Sequence, residues 1–305
     1  MLAGRMWLIG VILGVGVAAL TGEARAQELE PRSYAASPAG IWFVGTAYAY
    51  SSGSIVLDPT LPIKDAEAHV QQLVPGFGHT FGLFGKLALV SGLVPFAWAE
   101  ASGTVGEDRR LVHRTGFADL RLKLSVNVIG NPAQSPAEFA RTPRRTIVGG
   151  SVLVTAPIGE YEGTHLINLG TNRWAFKPEI GVAVPYGPWQ FDGYCGVWLF
   201  TKNPDFYPGG LTRTQDPLFA FQAHSSYTFR PRLWLAADGT WYTGGSATVA
   251  GGEPSGRANN SRLGVTLSLP VGRNYSVKAA YSHGVSARAG TDFDTVTLAW
   301  QMLLM

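Results

Sequence analysis

Residues 262–269 read Arg-Leu-Gly-Val-Thr-Leu-Ser-Leu, and this stretch decides the fold class because an apolar residue stands at every second position. The same alternation returns over 274–282 and again over 295–304. A strict period of two predicts strands with two different faces. Arg262 and Lys278 stand on the polar faces, well inside their strands, where a charged group needs water or a partner. A soluble sandwich can also alternate, but repeated segments of about ten residues separated by turns are typical of a transmembrane β-barrel.

The composition permits a barrel and excludes several other classes. Charged residues make up 15% of the chain and hydrophobic residues 46%, with a mean hydropathy of +0.09. Beyond the N-terminal region, no segment approaches the roughly 18 consecutive apolar residues of a membrane helix, which excludes a helical membrane protein. A formal net charge of +3 gives no basic field of the kind that binds nucleic acid. The single cysteine, Cys195, excludes an intrachain disulfide and a zinc site built from several cysteines.

The first 26 residues read as a cleavable signal peptide. Arg5 supplies the positive charge, Met6 to Leu20 the apolar core, and 24–26 (Ala-Arg-Ala) the cleavage site. Residues 27–38 are expected to form an irregular periplasmic arm, a short disordered lead rather than a plug. Residues 39–305 then make up the barrel.

About twelve strands follow in the sequence. The fourth shows its two faces most clearly, because Leu122 and Leu124 alternate with Asp119, Arg121 and Lys123. Charged groups repeated along one strand face cannot sit unpaired in a dry core, but a lumen supplies water or partners. The predicted strands are 41–51, 66–80, 84–101, 117–128, 145–157, 173–185, 188–200, 216–229, 232–243 and three within 258–304.

The connections between these strands test the prediction, since bacterial barrels have short periplasmic turns and longer outer loops. Short inner turns are predicted at 82–83, 185–188, 230–231 and 270–273. Long outer loops are predicted at 52–65, 102–115, 158–171, 202–215 and 245–257. Two connections break the rule, because 131–144 is long yet inner and 289–290 is short yet outer. The sequence therefore predicts an all-β protein, a closed antiparallel transmembrane β-barrel in the outer membrane of a Gram-negative cell.

Several motifs are similar to those of one known family. They are 93–95 (Leu-Val-Pro), 116–119 (Gly-Phe-Ala-Asp), 156–161 (Ala-Pro-Ile-Gly-Glu-Tyr), 215–217, 261–264, 292–294 and above all 167–179 (Ile-Asn-Leu-Gly-Thr-Asn-Arg-Trp-Ala-Phe-Lys-Pro-Glu). In these the chain resembles outer-membrane proteins of the meta-pathway of phenol degradation, over most of its mature length. The resemblance implies an outer-membrane transporter or channel associated with the catabolism of aromatic compounds. Barrels commonly end in an aromatic residue, so the Met305 terminus means that insertion relies on Trp300 or that the last strand tolerates an extra residue.

The residues predicted to line the pore and the substrate path carry both signs of charge. They are Asp119, Arg121, Lys123, Arg173, Lys177, Glu179, Asp192, Trp198, His224, Trp234, Asp238, Tyr242, Arg262 and Lys278. A strongly anion-selective pore should show one sign in excess, so near-balance indicates a salt-bridged lumen or weak selectivity. Interleaved aromatic residues, among them Phe117 and Tyr194, suit small neutral or amphiphilic solutes.

Each of these assignments has a structural alternative. Gly170 and Asn172 accept the backbone of a tight turn, and Trp174 is typical of a membrane interface. Lys177 would then pair with a neighbouring carboxylate, and the remaining inward groups would fill a narrow lumen.

An enzyme is the second class of function. Some outer-membrane barrels are lipid hydrolases, and the stretch 255–262 with His283 offers a serine, asparagines and a base. The same stretch is ordinary turn composition, and the histidines show no metal-ligand spacing.

The sequence therefore predicts a channel or transporter that passes small hydrophobic or aromatic molecules by passive diffusion, not an enzyme. A lipid hydrolase and a non-conducting surface scaffold remain as alternatives. We expect no cofactor, and as partners the bilayer and lipopolysaccharide, the barrel-insertion machinery and a small-molecule solute, but no nucleic acid.

Overall fold

A computed structural model describes residues 29–56, 63–105 and 107–304. The predicted signal peptide, the cleavage site and the Met305 terminus lie outside these residues. The described strands are β1 (Trp42–Val56), β2 (Ile63–Leu83), β3 (Lys86–Leu93), β4 (Phe96–Val105), β5 (Asp108–Phe117), β6 (Leu120–Pro132), β7 (Ile147–Ala156), β8 (Ala175–Tyr186), β9 (Trp189–Phe200), β10 (Asn203–Phe206), β11 (Leu211–Gln215), β12 (Leu218–Arg230), β13 (Leu233–Gly244), β14 (Ala247–Val249), β15 (Ala258–Val271), β16 (Tyr275–Ser286) and β17 (Gly290–Leu304). One short helix, α1 (Pro136–Phe139), lies between β6 and β7.

The sheet closes on itself because β1 pairs antiparallel with both β2 and β17. Trp42, for example, lies opposite His79 on β2 and Leu304 on β17. Two of the wall strands are interrupted: β3 and β4 form one, broken at 94–95, and β5 and β6 form another, broken at 118–119. Counted in this way the wall has 12 strands, which confirms the predicted closed antiparallel barrel.

The break between β5 and β6 changes which residues face inward. Phe117, at the end of β5, is 52% exposed, whereas Asp119 is buried. The prediction that Phe117 shares the inward face with Asp119 was wrong, because the two residues belong to segments whose alternation is out of phase. Asp119 lies between the strands and accepts hydrogen bonds from an outer loop.

Most of the long connections lie at one end of the barrel, here called the outer end, and most of the tight turns at the other. The long connection 133–146, which carries α1, lies at the inner end, as predicted for 131–144. Residues 157–174 form a long outer loop, and 201–217 and 245–257 carry the small strands β10, β11 and β14. The predicted outer loop 102–115 was wrong, because β4 and β5 continue through it as a hairpin in which Val105 lies opposite Asp108. Likewise β1 and β2 continue into the predicted loop 52–65, so this part of the wall extends further than its neighbours.

The wall is inverted relative to a soluble protein, with apolar side chains outside and charged ones inside. On β6, Leu122 is 40% exposed on the outside, while its neighbour Arg121 is buried. On β8, Lys177 is only 1% exposed. This is the alternation of a barrel whose outer surface faces lipid.

Within the described parts of the chain, no helix has the length and hydropathy needed to cross a membrane.

Candidate functional site

The lumen of the barrel has two walls of different chemistry. The apolar wall consists of the inward faces of β1, β2, β3, β4 and β17, with small or aliphatic side chains such as Ala47, Val74 and Ala97. The polar wall consists of the inward faces of β6 to β9, β12, β13 and β15, with buried groups such as Glu179 and Asp192. The strands of the polar wall also carry an inward apolar cluster that includes Trp198, Leu218 and Tyr242.

Residues 29–38, here called the N-terminal arm, lie inside the lumen. Tyr34 is 1% exposed, and its hydroxyl donates to Glu179 at 3.1 Å and lies 3.0 Å from Ser151 Oγ. Its ring occupies space left by Gly149 and Gly181, since a Cβ at either glycine would collide with it. We expected a disordered lead rather than a plug, but the arm fills part of the lumen.

Charged groups hold the arm against the polar wall. Lys123 Nζ donates to Glu30 Oε2 at 2.6 Å and to Ser33 Oγ at 3.0 Å. Arg32 donates to Ser226 at 2.9 Å and to Thr228 at 2.6 Å. Because the Lys123–Glu30 pair is largely shielded from solvent, loss of either partner would leave a buried charge unpaired.

Lys177 and Glu179 form a second ion pair, with 3.0 Å between Nζ and Oε2. The ammonium of Lys177 also lies 5.5 Å from the ring centre of Trp198. Glu179 accepts from Tyr34 of the arm as well. The two residues therefore face inward, as predicted, but in this structure they contact each other and the arm.

A buried network of β9, β12, β13 and β15 continues the polar wall. His224 Nδ1 lies 2.8 Å from Asp238 Oδ1, and the second oxygen of Asp238 accepts from Thr266 at 2.7 Å. Asp192 lies directly opposite His224 and accepts from Gln190 at 2.9 Å. The network joins the arm through Tyr194, whose hydroxyl accepts the Ser33 backbone N–H at 3.0 Å.

The outer loop 157–174 covers the outer end of the lumen and is fixed by Asp119. The carboxylate of Asp119 accepts from the backbone N–H of Gly159 at 3.0 Å and from the hydroxyl of Thr171 at 2.6 Å. Arg173 donates to Gln215 and lies over the ring of Phe200, with 4.4 Å to its centre. Asp119 and Arg173 thus hold the outer loop 157–174 in place.

The same loop places apolar groups on the apolar wall. Leu169 and Ile167 pack against the inward alanines of β2 and β4 and against Phe293 of β17. The loop is consequently packed against the apolar wall at the outer end of the lumen.

In the same loop, the hydroxyl of Tyr161 accepts a hydrogen bond from Asn203 at 2.8 Å, and burial raises the pKa of the Tyr161 phenol.

Solvent reaches the inward face mainly along β16 and β17. Half-buried inward residues lie in the middle of these two strands, namely Ser276, Lys278, Ala280, Thr295, Thr297 and Ala299. Toward the ends of the same strands, the inward Ser282, Phe293 and Gln301 are buried. We call the space beside the half-buried residues the residual passage. Lys278 lies 5.9 Å from the ring centre of Trp234, on whose ring Arg32 also lies at 4.7 Å. The residual passage therefore lies between the arm and the inward faces of β16 and β17.

The structure groups the predicted site residues into separate clusters. Trp198 and Tyr242 belong to an apolar cluster with Leu153 and Leu218, and Arg262 donates to Ser282 at 2.5 Å and to the Phe293 carbonyl. Among the charged groups, Lys278 lies on the residual passage, and the role of the whole set in transport stays a prediction. Sequence reasoning missed Glu30, Arg32 and Tyr34, which occupy the lumen. Gly149 and Gly181 could have indicated that the arm enters the lumen, since an inward position without a side chain leaves space for another group.

The serine and histidine of the hydrolase alternative have other partners. Ser261 Oγ lies 3.0 Å from Ser286 Oγ, and His283 Nδ1 lies 2.7 Å from Asp294 Oδ1. These groups are on the outside of the barrel. Within the described ranges, no cluster of three or more His, Cys, Asp or Glu side chains could hold a metal ion.

Comparisons with known proteins agree with the fold. A family model described as "Putative MetA-pathway of phenol degradation" matches residues 47–300. The crystal structure of the COG4313 outer membrane channel from Pseudomonas putida F1 is similar, with a TM-score of 0.74 and 19% identity over 90% of this chain and 99% of that one. The β domain of the Bordetella autotransporter BrkA has a TM-score of 0.50 and 11% identity, covering 87% of this chain and 100% of that one. A search of curated protein sequences found no match.

Proposed function

Since the chain belongs to the family described by the MetA pathway of phenol degradation, we propose that it is an outer-membrane channel for small hydrophobic or aromatic molecules. Passage is by diffusion and involves no catalytic step. The similar COG4313 protein is itself an outer membrane channel, and the sequence begins with the features of an export signal. We further propose that the signal is removed after Ala26 and that the barrel-insertion machinery places the mature chain among lipopolysaccharide.

The observation that carries this proposal is the unequal occupancy of the two walls. The arm and the ion pairs engage charged groups of the polar wall, among them Lys123, Lys177 and Glu179. The residual passage instead borders small residues such as Ala280, Thr297 and Ala299. A hydrophobic solute loses little by leaving lipid or water for such a surface, and a narrow lining without deep pockets allows it to leave again.

The test narrows the residual passage without disturbing the barrel. Ala280→Trp places a large ring in the passage, whereas Ala279→Trp places the same ring on the lipid-facing side of the same strand. Initial uptake of labelled toluene is measured in cells that produce each variant, with heat-modifiable barrel in the membrane checked in parallel. We expect Ala280→Trp to lower uptake strongly and Ala279→Trp to leave it unchanged. Equal uptake by the two variants, at equal barrel levels, would contradict the proposal.

A further inference from the structure

The side chain of Tyr34 is a phenol ring that the wall of the barrel encloses. It is 1% exposed, although it belongs to the arm and not to the wall. A Cβ at Gly149 or at Gly181 would collide with the ring, so these two inward glycines provide the space that it fills. Tyr194 packs edge-on against it, with 5.2 Å between the ring centres. We call the space bounded by these three wall residues the Tyr34 cradle.

Two polar groups bind the hydroxyl at the end of the cradle. The Tyr34 hydroxyl donates to Glu179 Oε1 at 3.1 Å and lies 3.0 Å from Ser151 Oγ. A phenol has one proton to donate, so Ser151 donates to the hydroxyl oxygen while Glu179 accepts from it. Lys177 holds the other oxygen of Glu179 at 3.0 Å, which fixes the position of the carboxylate. The cradle therefore fits a ring and a hydroxyl group together.

The cradle needs the hydroxyl as well as the ring. Ser151 and Glu179 are buried, so a ring without a hydroxyl would take from both of them the partner that they have in this structure. A site built to hydrogen-bond a hydroxyl rejects an analogue that lacks it, because its buried polar groups are left unpaired. Phenol and toluene have nearly the same shape and differ in this one group. We expect the cradle to bind phenol and to reject toluene.

From this geometry we infer that the Tyr34 cradle is a binding site for phenols, and that a phenolic solute which occupies it releases the arm. Tyr34 and the free solute present the same ring and hydroxyl, so they compete for one place. Glu30 and Arg32 keep the arm near the wall. A tethered ring competes at an effective concentration of about millimolar, so free phenol should act in about that range. Binding depends on the cradle alone, whereas opening of the lumen rests on the proposed function.

The first experiment measures binding in a cradle from which the ring has been removed. Tyr34→Ala removes the group that phenol would replace and keeps the rest of the arm. The mature variant in detergent is heated with phenol or with toluene, and the loss of heat-modifiable mobility gives its melting temperature. Phenol at about ten times its dissociation constant should raise this temperature by about 2–5 °C relative to the wild type, whose cradle is filled, and toluene should leave it unchanged. Tyr34→Ser empties the same space and is used if Tyr34→Ala does not fold.

The second experiment measures release of the arm from the wild-type chain. Conductance of the mature protein in a planar bilayer is recorded with phenol or toluene at equal concentrations. Phenol should raise the conductance toward that of the chain without residues 29–38, and toluene should not. Tyr34→Phe loses the hydrogen bonds of the hydroxyl, so the phenol concentration needed for half of the effect should fall about two- to tenfold.

Two glycine variants separate the cradle from a general effect of phenol on the bilayer. Gly181→Ala puts a methyl group where the Tyr34 ring lies, so it should release the arm without phenol, and phenol should add nothing. Gly193→Ala lies on the next strand, where its methyl group has room beside Val182, and should respond to phenol like the wild type.

The outcomes distinguish this inference from the proposed function. If Tyr34→Ala responds to phenol and toluene alike, or to neither, the cradle is not a phenol site and the inference is overturned. If phenol binds Tyr34→Ala but leaves the conductance of the wild type unchanged, release of the arm by phenol is overturned. If even the chain without residues 29–38 does not conduct, the proposed function fails, while the melting experiment still decides whether phenol binds. Binding of phenol alone, with a rise in conductance that Gly181→Ala abolishes and Gly193→Ala retains, supports the inference.

Discussion

The polar and apolar walls of the lumen are built by the same kind of strand, yet they use their inward residues differently. On the polar wall, charged groups bind one another and the N-terminal arm, as Lys123 does with Glu30. On the apolar wall, residues such as Ala47 and Val74 are buried in a packed cluster of hydrophobic side chains. The difference indicates that charge inside a barrel does not by itself mark the route of a solute. Here much of the charge holds a segment of the chain, and we propose that the solute follows the wall with little charge.

Deletion of residues 29–38 should produce the largest effect, because it removes the occupant of the polar wall. We expect the single-channel conductance of the mature chain in a planar bilayer to rise several-fold, since the inward charges would then face water. The sign of the selectivity should change little, because the deletion removes one acid, Glu30, and one base, Arg32. An unchanged conductance would mean that the arm does not block the lumen in the membrane.

An aspartate introduced on each of the two walls should have unequal effects on stability. Ala99→Asp buries a carboxylate among alanines, near Leu169 and Phe293, and should destabilise the barrel by about 3–5 kcal/mol. Thr240→Asp puts the carboxylate directly opposite Arg262, which can pair with it, so the cost should be much smaller. Urea unfolding in detergent micelles measures both values. Similar costs would show that the walls do not differ in polarity.

A smaller effect is expected from the ion pair between arm and wall. Glu30→Gln leaves Lys123 with a neutral partner and should favour release of the arm, seen as brief openings of higher conductance. Release of the arm limits the free-energy cost of leaving Lys123 without a charged partner, so the melting temperature of the barrel should change little. The double variant Glu30→Gln with Lys123→Met removes both charges and should open less often than the single variant. More frequent openings in the double variant would argue against a role for this pair.

The smallest effect should come from Tyr34→Phe, which keeps the ring over Gly149 and Gly181 but removes the hydroxyl. The hydrogen bonds to Ser151 and Glu179 are lost, at a net cost of about 0.5–3 kcal/mol in the attachment of the arm. The measurement is protection of arm amides from hydrogen exchange. Protection equal to that of the wild type would place the attachment elsewhere in the arm.

The sequence predicted the barrel well because the two faces of a strand are encoded locally. Alternation over residues 120–128 was enough to place Leu122 outside and Arg121 inside, and the structure has them so. Local alternation failed at Phe117, where a break between β5 and β6 changes the phase, and in the hairpin at 102–115, which continues as strand. Residues 102–115 have the composition of a loop, but the pairing of β4 with β5 continues into them.

The contents of the lumen could not be derived in the same way. Arg32 and its partner Ser226 are 194 residues apart, and Glu30 and Lys123 are 93 residues apart. No local pattern connects such residues, and a short polar segment with two prolines reads equally well as a disordered lead. The inward charges were identified correctly, but their partners included a segment that had been assigned to the periplasm.

The central claim is that solutes pass beside the arm, between it and the apolar wall. Its most direct test is a crystal structure of the mature protein soaked with 4-iodotoluene, in which anomalous scattering locates the iodine. The account predicts iodine in the residual passage, near Ala280 and Thr297, with Tyr34 still bonded to Glu179. Iodine on the polar wall in the position of the arm, with Tyr34 displaced from Glu179, would contradict it.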